Sequence, residues 1–512
     1  MSKTIPPLDL MFLLTETADS PKHVSALMTF ELPGSGATKV VREIVEAYGA
    51  AKPVAPFTYV AEYSLTGLPR WKTVDGIELD RNLHHVSLPA GATHDDLLRL
   101  IQTLHEPTLD RNRPAFDVFF IEGLPGNTFA LFVKIHHAIV DGISAINLLL
   151  TSLNADAKAT RIEPFFAIES SAPRSKPPRP LVERALALRD GALKQGNAIA
   201  NLYVGMLKKG IGRLMSGIKT GNQLFQAPRT PMNGAIQMSR SIATLSLPLA
   251  EMRATGKAFG GTLNDVAVTV VDAGVHRYLA GLGKPVEQPL VAMCPVSLRE
   301  PGDKEATTKA SAIFVALGEA GDSMGERMQR VVKGIVAAKA ELKSLSKDSA
   351  MLYGIAAFGL AEAEAQLSQR RVTTAGPAAN FVVSNVPGSA TPLYLNGLRM
   401  TGFFPVSTIG AGVGLNATLS SYAGSMDFGF VGNGVALPRL TELARHTREA
   451  FEELKAAAAA LGKAAAPAAA AAGPAEAAPR KRVPVARKSA PSTKSAPAKK
   501  RATRKTPAVA AK

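Results

Sequence analysis

Cysteine is almost absent from this sequence: Cys294 is the single one among 512 residues. An internal disulfide is therefore excluded, and a reducing, cytoplasmic setting is the expectation. The sequence also lacks an uninterrupted apolar run of the roughly 18–20 residues that a membrane-spanning helix needs. The nearest candidate, residues 130–150, is interrupted by charged and histidine side chains. The first ten residues have no basic stretch followed by an apolar core, so no secretory signal is predicted.

Acidic residues are few relative to basic ones, with 42 against 59, which gives a net charge of +17. The excess is concentrated at the C-terminus, because residues 463–512 contain 13 Lys or Arg and one acid, Glu476, and so carry +12. From residue 461 onward the chain is mostly Ala, Pro, Lys and Arg. It cannot bury enough apolar surface to offset the entropy of ordering, so a disordered tail is predicted.

A basic tail of this kind binds phosphate groups without sequence choice. It could hold the protein on an anionic membrane or lipid-inclusion surface, or on nucleic acid. A solubilising tail without a partner is the third interpretation. Over the whole sequence, 46% of the residues are hydrophobic and 20% are charged, which is typical of a globular protein.

Hydrophobic periodicity divides the folded part into two α/β units joined by a connector. The first unit comprises residues 1–160, the connector residues 161–238 and the second unit residues 239–460, and the tail follows at 461–512. A crossover helix or an amphipathic surface helix is predicted within residues 181–224 of the connector. Predicted strands are 23–32, 116–121, 128–135, 291–298, 312–317, 381–384 and a strand–turn–strand over 412–431. Predicted helices are 38–48, 93–105, 143–153, 264–279, 325–345, 349–367 and 437–461.

The most informative stretch is the segment from His136 through His137 to Asp141 and Gly142. It follows a predicted strand and precedes a predicted helix. Because consecutive strand side chains point to opposite faces, one histidine can face a site while the other packs inside. Asp141 lies at the strand-to-helix turn, where a carboxylate can cap the helix. Gly142 leaves room for a long substrate.

These residue types indicate general-base catalysis. A neutral imidazole with a pKa of about 6.5 can take a proton from an alcohol near neutral pH. No Ser or Cys lies in a recognisable nucleophile motif, which favours direct transfer without a covalent intermediate. Two alternatives remain. The histidines could be satisfied core residues, or they could bind metal, although adjacent strand histidines point apart and no third well-spaced histidine lies nearby.

The pattern His-His-x-x-x-Asp-Gly resembles that of the coenzyme A-dependent acyltransferase superfamily. Within it, residues 5–455 look like the bacterial wax ester synthase/diacylglycerol acyltransferases. The other matching stretches are Pro7-Leu8-Asp9, Leu109 to Pro114, Asn264-Asp265, Pro295 to Arg299, Ser384 to Gly388 and Ser421 to Gly424. In one departure, Pro114-Ala115-Phe116 stands where many members have Pro-Leu-Trp, a difference that bears on chain preference.

The resemblance implies an α/β fold of two chloramphenicol-acetyltransferase-like domains with mixed sheets and a tunnel between them. It implies transfer of a fatty acyl group from acyl-CoA to diacylglycerol or a long-chain alcohol, with His137 as the base. His136, Asp141 and Gly142 would support the site. No cofactor and no metal are expected. The protein would work peripherally at the inner membrane or at lipid inclusions.

Four further residues are candidates for substrate binding. Asn264 and Asp265 match a family motif, although at a helix start they could equally cap it. Arg299 could touch the CoA phosphates or form a surface ion pair. Asn385 could line the tunnel or make the turn. A second histidine pair, His84-His85, lacks the following Asp-Gly and is predicted to be non-catalytic.

Two other functions remain open from the sequence. One is a condensation-type transferase that uses a carrier-bound acyl donor, although the chain contains no carrier domain. The other is a non-catalytic protein that tethers lipid inclusions or nucleic acid. The intact His-His-x-x-x-Asp-Gly segment favours the acyltransferase.

Overall fold

A computed structural model describes residues 2–64, 67–169, 227–298, 310–345, 376–410 and 412–471, with isolated positions between 350 and 361. The crossover helix predicted within 181–224, most of the helix predicted at 349–367 and the tail beyond residue 471 lie outside the described residues. The chain divides into two compact units, residues 1–463 and 464–512. Everything below concerns the first unit unless stated.

Fifteen strands and eight α-helices are described. The strands are β1 (Ser2–Thr4), β2 (His23–Glu31), β3 (Tyr59–Ser64), β4 (Gly67–Thr73), β5 (Leu83–Ser87), β6 (Phe116–Leu124), β7 (Thr128–His136), β8 (Arg240–Pro248), β9 (Val291–Ser297), β10 (Ala310–Ala316), β11 (Phe381–Val386), β12 (Tyr394–Leu395), β13 (Leu398–Val406), β14 (Leu415–Tyr422) and β15 (Ser425–Asn433). The helices are α1 (Pro7–Thr15), α2 (Ala37–Ala50), α3 (His94–His105), α4 (Gly142–Thr151), α5 (Leu249–Ala258), α6 (Leu263–Gly281), α7 (Met324–Ser344) and α8 (Leu440–Ala471).

The first six-stranded sheet has the order β12-β13-β2-β7-β6-β5. Its central strands are β2 and β7. The turn that connects the antiparallel strands β6 and β7 places Gly126 and Asn127 at φ of 72° and 52°. Positive φ suits Gly and is tolerated by Asn, so this turn matches its sequence. The strands predicted at 23–32, 116–121 and 128–135 are confirmed within a few residues at their ends.

The second six-stranded sheet has the order β10-β9-β11-β14-β15-β8. It is mixed, because β11 runs parallel to β9 and β14 while the other pairs are antiparallel. One face carries Ala417 and Leu419 into a core shared with α6 and α7. The opposite face carries Asn416 and Thr418, because successive side chains of a strand point to opposite faces of the sheet. The structure therefore confirms the α/β fold class with mixed sheets that the family resemblance implied.

Strand β13, late in the sequence, joins the first sheet by pairing with β2. Two contacts tie it to the second sheet as well. The carboxylate of Asp427 accepts a hydrogen bond from the backbone N–H of Phe403 at 2.9 Å. A Cβ on Gly429 would lie 1.7 Å from the carbonyl oxygen of Pro405, so only glycine allows this approach. The sequence patterns did not predict β13, and the two-domain division at 1–160 and 239–460 stays a prediction.

The final helix α8 continues to Ala471, ten residues beyond its predicted end. The extension runs through an alanine-rich stretch, and alanine has the highest intrinsic helix propensity. Its last eight residues, 464–471, are the described part of the second unit. Within the described residues, no helix combines the length and apolar character needed to cross a bilayer.

Candidate functional site

The predicted site lies where β7 ends and α4 begins. The backbone N–H of His137 donates to the carbonyl oxygen of Lys22 at 2.8 Å, which anchors the segment against the start of β2. Asp141 is the N-cap of α4 and accepts from the backbone N–H of Ser144 at 2.7 Å. The capping role predicted for Asp141 is therefore confirmed, and it fixes the direction in which the helix leaves the loop.

The two adjacent histidines have different surroundings, as strand alternation predicts. His137 lines a cavity and stacks on the ring of Phe12 from α1, with centroids 3.9 Å apart and planes inclined by 23°. His136 is buried, and its Nδ1 accepts from the backbone N–H of Ala138 at 3.1 Å. Its proton therefore lies on Nε2, which is 3.3 Å from a carboxylate oxygen of Glu16.

Glu16 is the centre of a buried network that the sequence analysis missed. Besides His136, it accepts from the guanidinium of Arg111 at 2.9 and 2.7 Å and from the backbone N–H of Lys22 at 2.8 Å. Burial alone would raise the pKa of Glu16, but these partners lower it to about 2. Glu16 follows α1 immediately, while Arg111 lies 95 residues away, so no local pattern links them.

Burial lowers the pKa of His137 to about 4, against the opposing effect of the nearby Asp141 carboxylate. The electrostatic effect of the neighbouring Lys22 side chain lowers the pKa of His137 in the same direction as burial. At neutral pH the imidazole is therefore unprotonated and can accept a proton. The acid Asp141 is placed to stabilise the imidazolium that would then form.

The cavity that His137 lines has a volume of about 500 Å³, within the range of roughly 300–1,000 Å³ of small-molecule pockets. One wall comes from β2, β7 and α4, and the other from the second sheet. Its lining is mostly apolar, including Val24, Ala26, Val133, Ile135, Ile143, Ile146, Leu149, Met293, Val296, Phe314, Val382 and Val386. Such a surface suits a hydrocarbon chain.

Polar side chains are concentrated at one part of this cavity. Thr418 donates to the side-chain oxygen of Asn416 at 2.8 Å, and Asn416 donates to the carbonyl oxygen of Thr408 at 3.0 Å. The hydroxyl of Thr408 in turn donates to the carbonyl oxygen of Pro21 at 2.7 Å, one residue before the carbonyl that holds His137. This chain of hydrogen bonds connects that part of the wall to the loop between β7 and α4, which carries His137 and is the candidate catalytic loop.

The structure brings together some predicted site residues and not others. His137, Asp141, Gly142 and Asn385 all line the cavity, whereas His136 lies behind its wall. Asn385 has no side-chain hydrogen bond in the part of the chain that the structure describes, so its amide is free to meet a ligand. Arg299 lies outside the described residues.

Asn264 and Asp265 are not among the described residues that line the cavity. Asp265 forms a capping box, accepting from the backbone N–H and hydroxyl of Thr262 at 2.6 and 2.8 Å. Capping of α6, the alternative that the sequence left open, is therefore what the structure shows for Asp265.

The remaining residues singled out in the sequence are structural or peripheral. His84 and His85 lie on β5 and pair with Asp117 at 3.6 Å and Glu122 at 2.7 Å, away from the cavity. Phe116, at the position where many family members have Trp, is fully buried in an aromatic cluster with Phe57, Phe165 and Phe166. Among described residues, no group of three or more His, Cys, Asp and Glu could hold a metal ion.

Comparisons with known proteins agree with this geometry. Residues 5–267 match the model of the wax ester synthase/diacylglycerol acyltransferase catalytic domain, and residues 308–455 match that of the WS/DGAT C-terminal domain. A Mycobacterium tuberculosis protein named as a diacylglycerol O-acyltransferase is 30% identical over 493 residues, covering 90% of this chain and 99% of its own. The O-acyltransferase WSD of Acinetobacter baylyi is 30% identical over 464 residues, covering 88% and 97%.

Solved structures give the same result. The wax ester synthase/diacylglycerol acyltransferase from Marinobacter aquaeolei VT8 superposes with a TM-score of 0.71 at 26% identity, covering 89% of this chain and 100% of that one. The first condensation domain of the calcium-dependent antibiotic synthetase superposes with a TM-score of 0.56 at 15% identity, over 90% of this chain and 96% of the domain. At that identity the second likeness concerns the fold alone.

Proposed function

This chain belongs to the wax ester synthase/diacylglycerol acyltransferase family, and on that premise we propose that it transfers a fatty acyl group from acyl-CoA to diacylglycerol or to a long-chain alcohol. The observation that carries the proposal is an unprotonated His137 opening onto an apolar cavity of about 500 Å³. A base at the wall of a hydrocarbon-binding cavity is the arrangement that an alcohol acyltransfer between lipid substrates requires.

In the proposed reaction, His137 removes the proton of the acceptor hydroxyl as its oxygen attacks the thioester carbonyl. The tetrahedral intermediate collapses with breakage of the carbon–sulfur bond, and the proton passes from the imidazolium to the departing CoA thiolate. The products are an ester and CoA-SH, and His137 returns to its neutral form. Asp141 stabilises the imidazolium, and His136 holds the loop through Glu16.

We also propose roles for individual residues in binding the substrates. Asn385, at the cavity wall and without a side-chain hydrogen bond among the described residues, would contact a polar group of a substrate. Arg299 would meet the CoA phosphates. Asn264 and Asp265 would act from the start of α6 by holding that part of the fold. No cofactor takes part, because acyl-CoA itself supplies the activated acyl group.

The test of the function is an assay of the purified chain. Palmitoyl-CoA is supplied with dioleoylglycerol or, separately, with hexadecanol, and CoA release and ester product are followed together. Formation of triacylglycerol or wax ester at the rate of CoA release supports the proposal, and the ratio of the two gives the acceptor preference. CoA release without ester means hydrolysis. With no CoA release from a folded protein the proposal fails, and carrier-bound donors become the next substrates to try.

The position of Gly142 in the cavity wall gives a direct prediction. A Cβ at this position would meet nothing within 4 Å, so the protein itself tolerates a side chain there. Gly142→Leu should therefore leave the unfolding temperature nearly unchanged but reduce kcat/KM for long-chain substrates by at least about tenfold, by filling substrate space. The matched control is Gly49→Leu in α2, where a Cβ likewise meets nothing within 4 Å. Equal losses in both variants would exclude Gly142 from the substrate path.

We further propose that the protein works at the surface of a membrane or lipid inclusion, held there in part by its basic C-terminal residues. The +12 charge of residues 463–512 would be attracted to anionic headgroups. Removing residues 472–512 should abolish salt-sensitive co-sedimentation with phosphatidylglycerol vesicles while activity on detergent-dispersed substrates persists. Undiminished vesicle binding would rule out the tail as the anchor, and preferential binding to DNA in the same salt would identify nucleic acid as its partner.

A further inference from the structure

Four side chains form a continuous row across the second sheet on the face that lines the cavity. Strand register pairs Phe314 with Met293, Met293 with Val382 and Val382 with Asn416. All four residues line the cavity. Since neighbouring strands lie about 4.8 Å apart, the row spans about 14 Å from β14 to β10. The cavity therefore extends across the strands over about this distance.

One end of this row lies at the catalytic loop. Asn416 donates to the carbonyl oxygen of Thr408, and Thr408 donates to that of Pro21. The next carbonyl, that of Lys22, accepts from the N–H of His137. The polar end of the row is therefore the end at which the ester bond would form, and the apolar side chains lead away from it.

The other end of the row lies at Phe314. Its strand β10 is the last strand of the second sheet in the described part of the chain. Phe314 is 7% exposed and packs in a small cluster with Ala378 and Ala379, which also line the cavity. Ala361, another lining residue, packs against the same cluster. Among the described lining residues at this end, Ala361, Ala378 and Ala379 are small, so Phe314 is the bulkiest side chain that faces the space there.

From this row we infer that one hydrocarbon chain of the substrates lies along it, with its reacting carbon at His137 and its methyl end against Phe314. Phe314 then sets the maximum chain length, and Met293 narrows the path midway. The inference rests on the proposed function, since it assumes that the cavity holds a fatty chain. That chain could belong to the acyl donor or to the alcohol, because both substrates carry a long hydrocarbon chain.

The experiment compares the full-length wild type with Phe314→Leu, Phe314→Trp and Met293→Phe. In one arm, an equimolar mixture of acyl-CoAs from ten to twenty carbons competes for hexadecanol. In the other arm, an equimolar mixture of alcohols competes for palmitoyl-CoA. Esters are quantified by mass spectrometry. We expect Phe314→Leu to shift the product profile to longer chains, and Phe314→Trp and Met293→Phe to shift it to shorter ones.

The expected size of the shift is at least about tenfold in the ratio of long to short products, since a single methylene in an apolar pocket discriminates by that much. The shift should occur in one arm, which identifies the chain that occupies the row. The matched control is Phe381→Leu on β11, because Phe381 is also buried but packs in the core shared with α6. It should alter stability without altering the profile.

Three results would overturn the inference: unchanged profiles in both arms for active variants, shifts in the same direction for the smaller and larger side chains, or an equal shift in Phe381→Leu. If the wild type forms no ester in either arm and no triacylglycerol from palmitoyl-CoA and dioleoylglycerol, the proposed function itself has failed. The ester products of the wild type alone therefore distinguish a failure of the inference from a failure of the proposed function.

Discussion

Replacing His137 by Ala is expected to reduce kcat for ester formation by about 100- to 10,000-fold, the usual loss when a positioned general base is removed. The imidazole lines the cavity, stacks on the Phe12 ring and is unprotonated at neutral pH, and the backbone N–H of His137 donates to the carbonyl oxygen of Lys22. The measurement is the rate of CoA release and ester formation at saturating substrate, with thermal unfolding recorded in parallel. Full activity in a folded variant would remove His137 from the reaction.

The matched control is His85→Ala. His85 is also the second histidine of an adjacent pair and lies beside a carboxylate, that of Glu122, but it is on the edge strand β5 away from the cavity. Its replacement should leave kcat within about twofold of the wild type, since surface changes rarely disturb a distant site. A comparable loss in both variants would indicate general destabilisation.

The pH profile of the wild type gives a second test of the same residue. Because burial lowers the pKa of His137 to about 4, the base form persists well below the ordinary pKa of 6.5. The acid limb of kcat/KM, which reports the free enzyme, should therefore fall near pH 4. A limb near pH 6.5 would show that the working base is a more exposed group.

Replacing Glu16 by Gln is expected to produce a large loss of both stability and turnover. The substitution keeps the size of the side chain but leaves the positive Arg111 without its counter-charge and His136 with a weaker acceptor. The difference between the ordinary pKa of 4.5 and the value of about 2 corresponds to about 3 kcal/mol of stabilisation at neutral pH. Chemical denaturation of the variant should show a decrease of this order in the free energy of unfolding.

The same substitution should lower kcat by about 100-fold with little change in KM, since a small displacement of a catalytic group has effects of this size. Glu16 is not among the described residues that line the cavity, so it acts as a positioning residue through His136 and the Lys22 backbone. The position of the acid limb should not move. A rise in KM with unchanged kcat would contradict this role and assign Glu16 to substrate binding.

The contribution of Glu16 also predicts a pH dependence of stability. Its pKa is lower in the folded than in the unfolded protein, so its stabilisation is fully present above about pH 4.5 and is lost as pH falls toward 2. In Glu16→Gln this part of the acid sensitivity should disappear. Glu122→Gln is the control, because its partner His85 is 52% exposed and the pair is solvated.

Local patterns predicted much of the secondary structure. Alternation over residues 128–135 and the turn before it gave the active-site strand to within one residue, and helical spacing gave α3 and α6 nearly as well. Those signals succeed because each depends on residues a few positions apart. The strand β13 was missed, since its place in the first sheet depends on pairing with β2, more than 370 residues earlier.

The candidate site likewise has features that a local sequence pattern predicts and features that depend on contacts between distant residues. The segment from His136 to Gly142 is a local property, and it sufficed to indicate general-base catalysis, while the resemblance to a known family implied that the reaction is acyl transfer. The network of Glu16 with Arg111, the stacking of Phe12 on His137 and the row ending at Phe314 depend on contacts between distant parts of the chain. Packing and burial determine these contacts. The surroundings that result also lower the pKa values of His137 and Glu16, which no sequence pattern predicts. Thus the sequence by itself determined the chemistry that is possible, and the tertiary structure decided which groups are held, how they titrate and what shape of substrate reaches them.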